Sequence, residues 1–141
     1  MGSCVYALTM IDDYSRMKFI YFLQTKDEAT TTFKVFSAMV KRQKGIDIKS
    51  IRVDGGGEFI NKDMESFCAQ EGIFIEVTMP DAHQQHGVIE RTNRSIFDMG
   101  RTLLSDGRLP KNMWAEATTT AVYILNRLCS RVLWWKSPYN L

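Results

Sequence analysis

No stretch of this chain of 141 residues approaches the roughly 18 uninterrupted apolar residues that cross a bilayer. Its first residues also lack the basic, apolar, small-residue series of a secretory leader. The expectation is an intracellular protein without a membrane span. Cysteine is scarce: Cys4, Cys68 and Cys129 are an odd count with no paired spacing, which excludes a disulfide framework and predicts reduced, buried thiols. The two histidines, His83 and His86, stand three apart, but nothing near them supplies a third and fourth ligand for zinc. Internal repeats, low-complexity tracts and linkers are absent as well. The net charge is only +2, too small for total charge to imply a polyanionic partner.

What remains is an ordinary globular composition, 45% apolar and 24% charged, in a chain long enough to bury a core without disulfides. One domain over residues 1–141 is expected. The placement of charge says more than its total. Lys41, Arg42, Lys44, Lys49 and Arg52 form one basic cluster, and Arg91, Arg94 and Arg101 follow Glu90 along one segment. Taken singly, each of these cations is better read as part of a solvated helix face.

Along the chain, Cys4 to Ile11 is almost continuously apolar and too short for a comfortable helix, so it reads as a buried strand. Asp12-Asp13-Tyr14-Ser15-Arg16 supplies turn chemistry, and Met17 to Gln24 a second strand, making a hairpin. Asp27 is placed to cap a helix from Glu28 to Lys44, with Gly45 past its end. Ile48 to Val53 is a short β-branched strand, with Asp54 and three glycines at its C-terminal end. A short helix from Lys62 to Gln70 closes at Gly72, and Ile73 to Met79 is the last strand. Pro80 to His86 reads as a polar loop. From Gly87 a long helix puts Glu90, Arg94, Phe97 and Arg101 on one stripe, with Ile89, Ile96, Met99 and Leu103 on an adjoining side. Pro110 begins a final helix reaching Leu128, and Trp134 and Trp135 lie in the tail. Strand and helix alternate, which points to an α/β layered fold, where sites lie outside the carboxyl ends of strands.

Two carboxylates stand out by position: Asp54 at a strand end and Glu90 on the long helix, separated by 35 residues. Around them lie Asp54-Gly55-Gly56-Gly57-Glu58-Phe59, Gln84-Gln85 and Glu90-Arg91-Thr92-Asn93-Arg94. Asp12-Asp13-Tyr14-Ser15-Arg16 stands before them in the chain, and Lys136-Ser137-Pro138-Tyr139 after. In this order the pieces resemble the integrase catalytic core of copia-type LTR retrotransposons, relatives of retroviral integrases, whose second and third catalytic carboxylates form an Asp-x35-Glu pair. The resemblance covers nearly the whole chain.

The resemblance implies an α/β, ribonuclease-H-like core: a mixed sheet flanked by helices. It implies metal-dependent cleavage of phosphodiesters and strand transfer, as part of a Pol polyprotein. Asp54 and Glu90 become the catalytic residues and the ligands of Mg²⁺ or Mn²⁺, hard ions that take oxygen donors. Gln84, Gln85, Arg91, Asn93 and Arg94 become nucleic-acid-binding residues. DNA and further integrase subunits are the implied partners, and the nucleus the implied site of action of the functional parent element. His83 and His86 replace the usual proline and asparagine, Gly55 an asparagine, and Val53 a serine. The family's first carboxylate, on the central strand, lies upstream of anything in these residues. The reading is therefore a partial core lacking that strand, with impaired activity alone. A competing reading is a non-catalytic transposon remnant or coopted domain that binds DNA or a protein partner. A third makes Asp54 the phosphoacceptor of an α/β regulator, which the lack of a second acidic cluster near Asp54 disfavours.

Overall fold

The computed structural model of the chain describes residues 5–54, 60–78 and 83–141, with Asp54 and residues 83–86 described as backbone. Its described elements run β1 (Tyr6–Ile11), β2 (Lys18–Leu23), α1 (Glu28–Lys44), β3 (Ser50–Asp54), α2 (Lys62–Glu71), β4 (Phe74–Thr78), α3 (His83–Asp106) and α4 (Trp114–Leu125). Short 3₁₀ turns cover Lys111–Met113, Arg131–Leu133 and Pro138–Asn140. The chain divides into two compact units, one of residues Leu23–Gly87 and one joining Met1–Phe22 to Val88–Leu141. The two-stranded sheets are β1-β2 and β3-β4.

In the unit Leu23–Gly87, α1 buries Ala29, Thr30, Phe33 and Phe36 along one stripe. Its start differs from expectation. Asp27 is helical and makes no side-chain cap; Glu28 does the work instead, its carboxylate accepting the Gln24 amide at 3.2 Å. An acceptor on the first helical residue thus ties down the incoming chain, much as the second half of a capping box does. The far end is as expected, with Gly45 left-handed at φ 66. Helix α2 has a true cap: Asn61 Oδ1 accepts the Met64 amide at 2.8 Å, while Nδ2 donates to Thr30 Oγ1 of α1 at 3.0 Å. The helices meet through Phe33 and Phe67, edge to face at 6.1 Å, and through Lys34 and Asp63 at 2.8 Å. Met64 is fully shielded from solvent, burial that contributes about 1.5–3 kcal/mol.

Helix α2 is also the crossover of a strand–helix–strand unit. Strands β3 and β4 are parallel, with Ile51 opposite Ile75, Val53 opposite Val77 and Asp54 opposite Thr78. The Thr78 hydroxyl donates to the Val53 carbonyl at 3.1 Å, closing the ladder beside Asp54.

In the other unit, β1 and β2 form the expected hairpin. Asp12 Oδ2 accepts both the amide and the hydroxyl of Ser15, at 2.8 and 2.6 Å, and Arg16 takes a positive φ of 59 to complete the reversal. Helices α3 and α4 touch where Gly100 meets Thr118. A Cβ on Gly100 would fall 3.2 Å from Thr118 Oγ1, so glycine permits this approach. Ile96 on α3 and Ala121 on α4 are fully buried, and Trp114 stands edge-on to Phe22 at 5.0 Å.

Three further expectations are revised. Helix α3 begins at His83 instead of Gly87: the loop expectation rested on missing apolar periodicity, but glutamine is a good helix former and adding residues to a formed helix is cheap. The final helix ends at Leu125, short of Leu128. Cys68 is buried, but Cys129 is exposed, because it comes after the last helical turn. Cys4 and the residues expected at a glycine turn, 55–57, lie outside the described residues.

Candidate functional site

Asp54 is the last residue of β3, held at the C-terminal end of a parallel pair by its register with Thr78. This is the rim of an α/β sheet at which ligands are received, because helix N-termini and loops converge there. Glu90 lies about two turns inside α3, on an exposed part of the helix. Among the described residues its carboxylate makes no hydrogen bond or ion pair. A carboxylate balancing the neighbouring arginines would show one. Asp54 belongs to one compact unit and Glu90 to the other, each described within its own.

On α3, Arg91 and Arg94 are exposed. Glu90 and Arg94, four apart, share a face. Arg101, further along the same stripe, is engaged by Asp98 one turn before it. Phe97 and Arg101 turn toward α4, where with Gly100, Leu104, Trp114 and Thr118 they line an open, mainly apolar groove of about 400 Å³. Asn93 behaves differently from its arginine neighbours. Its Oδ1 is closed off from solvent and has no hydrogen-bond partner among the described residues, an orphan acceptor that costs about 1–3 kcal/mol. Gln84 and Gln85 lie on the first turn of α3, and their side chains are outside the described residues. So are those of His83 and His86.

The second basic cluster is partly neutralised. Lys41 pairs with Asp47 at 2.9 Å, which raises its pKa first through the hydrogen bond and then through charge. Arg52 Nε donates to Glu76 Oε2 across the β3-β4 pair at 3.1 Å. No group of three potential metal-ligating side chains occurs among the described residues, and none of their helices is long and apolar enough to cross a membrane.

Sequence reasoning missed Asn61 and Asn126, two asparagines that organise the two units. Asn61 precedes a helix by one residue and carried a detectable cap signal. Asn126 carried none, because its partner is remote in sequence.

Comparison with known proteins adds an independent line. The family described as "Integrase core domain" matches residues 1–83. The chain is 41% identical over 138 residues, 98% of its length, to the Retrovirus-related Pol polyprotein from transposon TNT 1-94 of Nicotiana tabacum. It is 33% identical over 135 residues to the corresponding polyprotein from transposon RE2 of Arabidopsis thaliana, covering 96% of the chain. It spans about a tenth of those relatives' length, 10% and 9% respectively.

Among solved structures, the simian T-cell lymphotropic virus intasome in complex with PP2A regulatory subunit B56 gamma superposes with a TM-score of 0.76 at 18% identity, over 96% of this chain and 47% of that one. The HTLV-2 integrase catalytic core domain in complex with magnesium, in a trimeric form, gives 0.67 at 22% identity, over 92% and 79%. These likenesses establish the expected α/β, ribonuclease-H-like core. With the family match extending over more than half of its residues, the chain belongs to the integrase core domain family.

Proposed function

We propose that this chain is the integrase core of a copia-type retrotransposon Pol polyprotein, a single catalytic domain whose chemistry is metal-dependent cleavage and joining of DNA. The observation that carries the reading is the presence of Asp54 at the C-terminal end of β3 together with an exposed Glu90 on α3 that has no partner among the described residues. The donor set fits Mg²⁺ or Mn²⁺, since both groups are carboxylates and Glu90 is unencumbered. Bound there, a pair of such ions would supply an activated water or hydroxyl and stabilise a leaving oxygen. Asp54 and Glu90 would hold them from a strand end and a helix, the rigid supports that such sites require.

Around Glu90 we assign Arg91 and Arg94 to phosphate contacts, which position a duplex without reading its sequence. Gln84 and Gln85 lie on the same helix, toward its start. Asn93, between Arg91 and Arg94 on α3, is assigned to the same nucleic-acid surface. Other integrase subunits are the proposed protein partners, and the nucleus the proposed place of action of the parent element. The family resemblance places a further catalytic carboxylate upstream of these residues.

Extending the chain upstream with a family strand that carries the first aspartate tests this. The extended protein is expected to cut DNA only with Mg²⁺ or Mn²⁺, and to lose cutting in Asp54→Asn and in Glu90→Gln. Metal-dependent cutting that survives both substitutions would overturn the assignment. An inert extended protein that still binds DNA would favour a coopted, non-catalytic domain.

A further inference from the structure

The segment after α4 is unlike the rest of the surface. Trp134 is 88% exposed and Trp135 67%, with Tyr123 and Tyr139 each more than half exposed. The two tryptophans occupy the centre of a tight turn. The Lys136 amide donates to the Leu133 carbonyl at 3.0 Å, and both tryptophans have positive φ, 52 and 63, the signature of a type I′ turn. Asn-Gly is the favoured pair there, and each bulky residue in that conformation costs roughly 1–2 kcal/mol. The Ser130–Lys136 bridge clamps the turn, and the Tyr139 amide, bonded to the Asn126 carbonyl at 2.9 Å, anchors the last residues of the chain. Two strained tryptophans are thus held out into water.

Cations are interleaved with these rings. The Arg127 guanidinium lies 3.6 Å from the centre of the Tyr123 ring and 4.3 Å from that of Tyr139, and Arg131 stands 5.5 Å from Trp135. From Ala117 to Leu141 there is no aspartate or glutamate, while Arg127, Arg131 and Lys136 give the segment three positive charges. None of the three enters an ion pair among the described residues. Self-association through this face would set like charges against each other, which is costly. A polyanion would not meet that cost. Exposed ring faces ask further for flat apolar partners, and unpaired bases have them where duplex bases are already stacked.

We propose that this C-terminal face, centred on Trp134 and Trp135, is a stacking platform for single-stranded nucleic acid. Its rings take unpaired bases, and Arg127, Arg131 and Lys136 take the phosphates. The surface is separate from Asp54 and Glu90 in its residues and needs no metal.

The test is fluorescence anisotropy of the full chain in EDTA with a labelled oligothymidine of about 20 nucleotides, longer than typical single-strand sites. A duplex of equal length and heparin serve as comparisons. The oligothymidine is expected to bind at least about tenfold more tightly than the duplex and to quench tryptophan fluorescence. Trp134→Asn with Trp135→Gly suits the turn better than the native pair, so it should stay folded while weakening oligothymidine binding at least about tenfold. Replacing both by tyrosine should retain most of the binding, and Arg131→Gln should flatten its salt dependence. Oligothymidine binding that is absent, matched by heparin, or unchanged in the Asn-Gly variant would overturn the proposal. So would a dimer in sedimentation equilibrium that the same variant dissolves without any oligothymidine binding by the parent.

Discussion

Asn126 holds the backbone of Lys18 by both of its polar groups: Oδ1 accepts the Lys18 amide at 2.9 Å, and Nδ2 donates to the Lys18 carbonyl at 2.8 Å. The side chain, 4% exposed, thereby acts as one more residue of a β ladder, tying the end of α4 to β2. Asn126→Ala would remove both bonds and leave a backbone donor and acceptor without partners. The expected loss is about 2–3 kcal/mol, read as a lower urea midpoint with an unchanged slope.

Asn61 makes a comparable link in the other unit, capping α2 while bonding Thr30 of α1. Asn61→Ala is expected to cost about 1–2 kcal/mol in denaturant titrations. Asn61→Asp keeps an acceptor for the Met64 amide and places a negative charge at the helix N-terminus, so it should recover most of that loss.

The turn Leu133–Lys136 gives a prediction of opposite sign. Trp134→Asn with Trp135→Gly should raise stability by about 2–4 kcal/mol, because residues at ease with positive φ replace two that are not. Calorimetry should show the melting temperature rising by several degrees. No rise would mean that the turn relaxes at no cost and that its tryptophans are not strained.

The cysteines provide a chemical measure of burial. Desolvation raises the Cys68 thiol pKa above its ordinary 9.0, whereas Cys129 is exposed. In a Cys4→Ser background, a thiol reagent at neutral pH should modify Cys129 promptly and Cys68 only as fast as the protein opens. The linkage has the same direction. With its folded pKa raised, Cys68 contributes stability that is complete below 9.0 and lost as pH rises through the folded value. Cys68→Ser should therefore flatten part of the alkaline fall in stability.

Elements with a local signature were the ones legible in the residues alone. Helix α1 runs from Glu28 to Lys44 and ends at Gly45 because period, length and a left-handed glycine all agreed. Gly72 ended α2 in the same way, and the run of β-branched residues before Asp54 put that carboxylate at a strand end. Failures arose where the deciding contact was remote or the local signal pointed elsewhere. Asp27 has a capping residue's chemistry but a helical backbone, with Glu28 supplying the acceptor. Gln84 and Gln85 looked like loop because polar residues show no period, yet a helix already secured by Ile96 extends through them. Nothing marks Trp134 and Trp135 as turn residues, since tryptophan has no preference for positive φ. At the candidate site, the position of Asp54 and the helical placement of Glu90, Arg91 and Arg94 were readable. The inward Oδ1 of Asn93 was not, because it depends on how α3 packs.

The discontinuity of one unit sets an order in time for synthesis. The unit of residues Leu23–Gly87 is contiguous and is complete once Gly87 has emerged. The β1-β2 hairpin emerges earlier, but the asparagine that clasps Lys18 comes 108 residues later. At roughly 5–20 residues per second, the hairpin waits about 5–20 s for its partner. In refolding from denaturant the same contact closes a loop whose length-dependent entropy is about 4 kcal/mol. This early-emerging hairpin is thus among the last elements to be secured, and until then a chaperone or a neighbouring nascent chain can reach it.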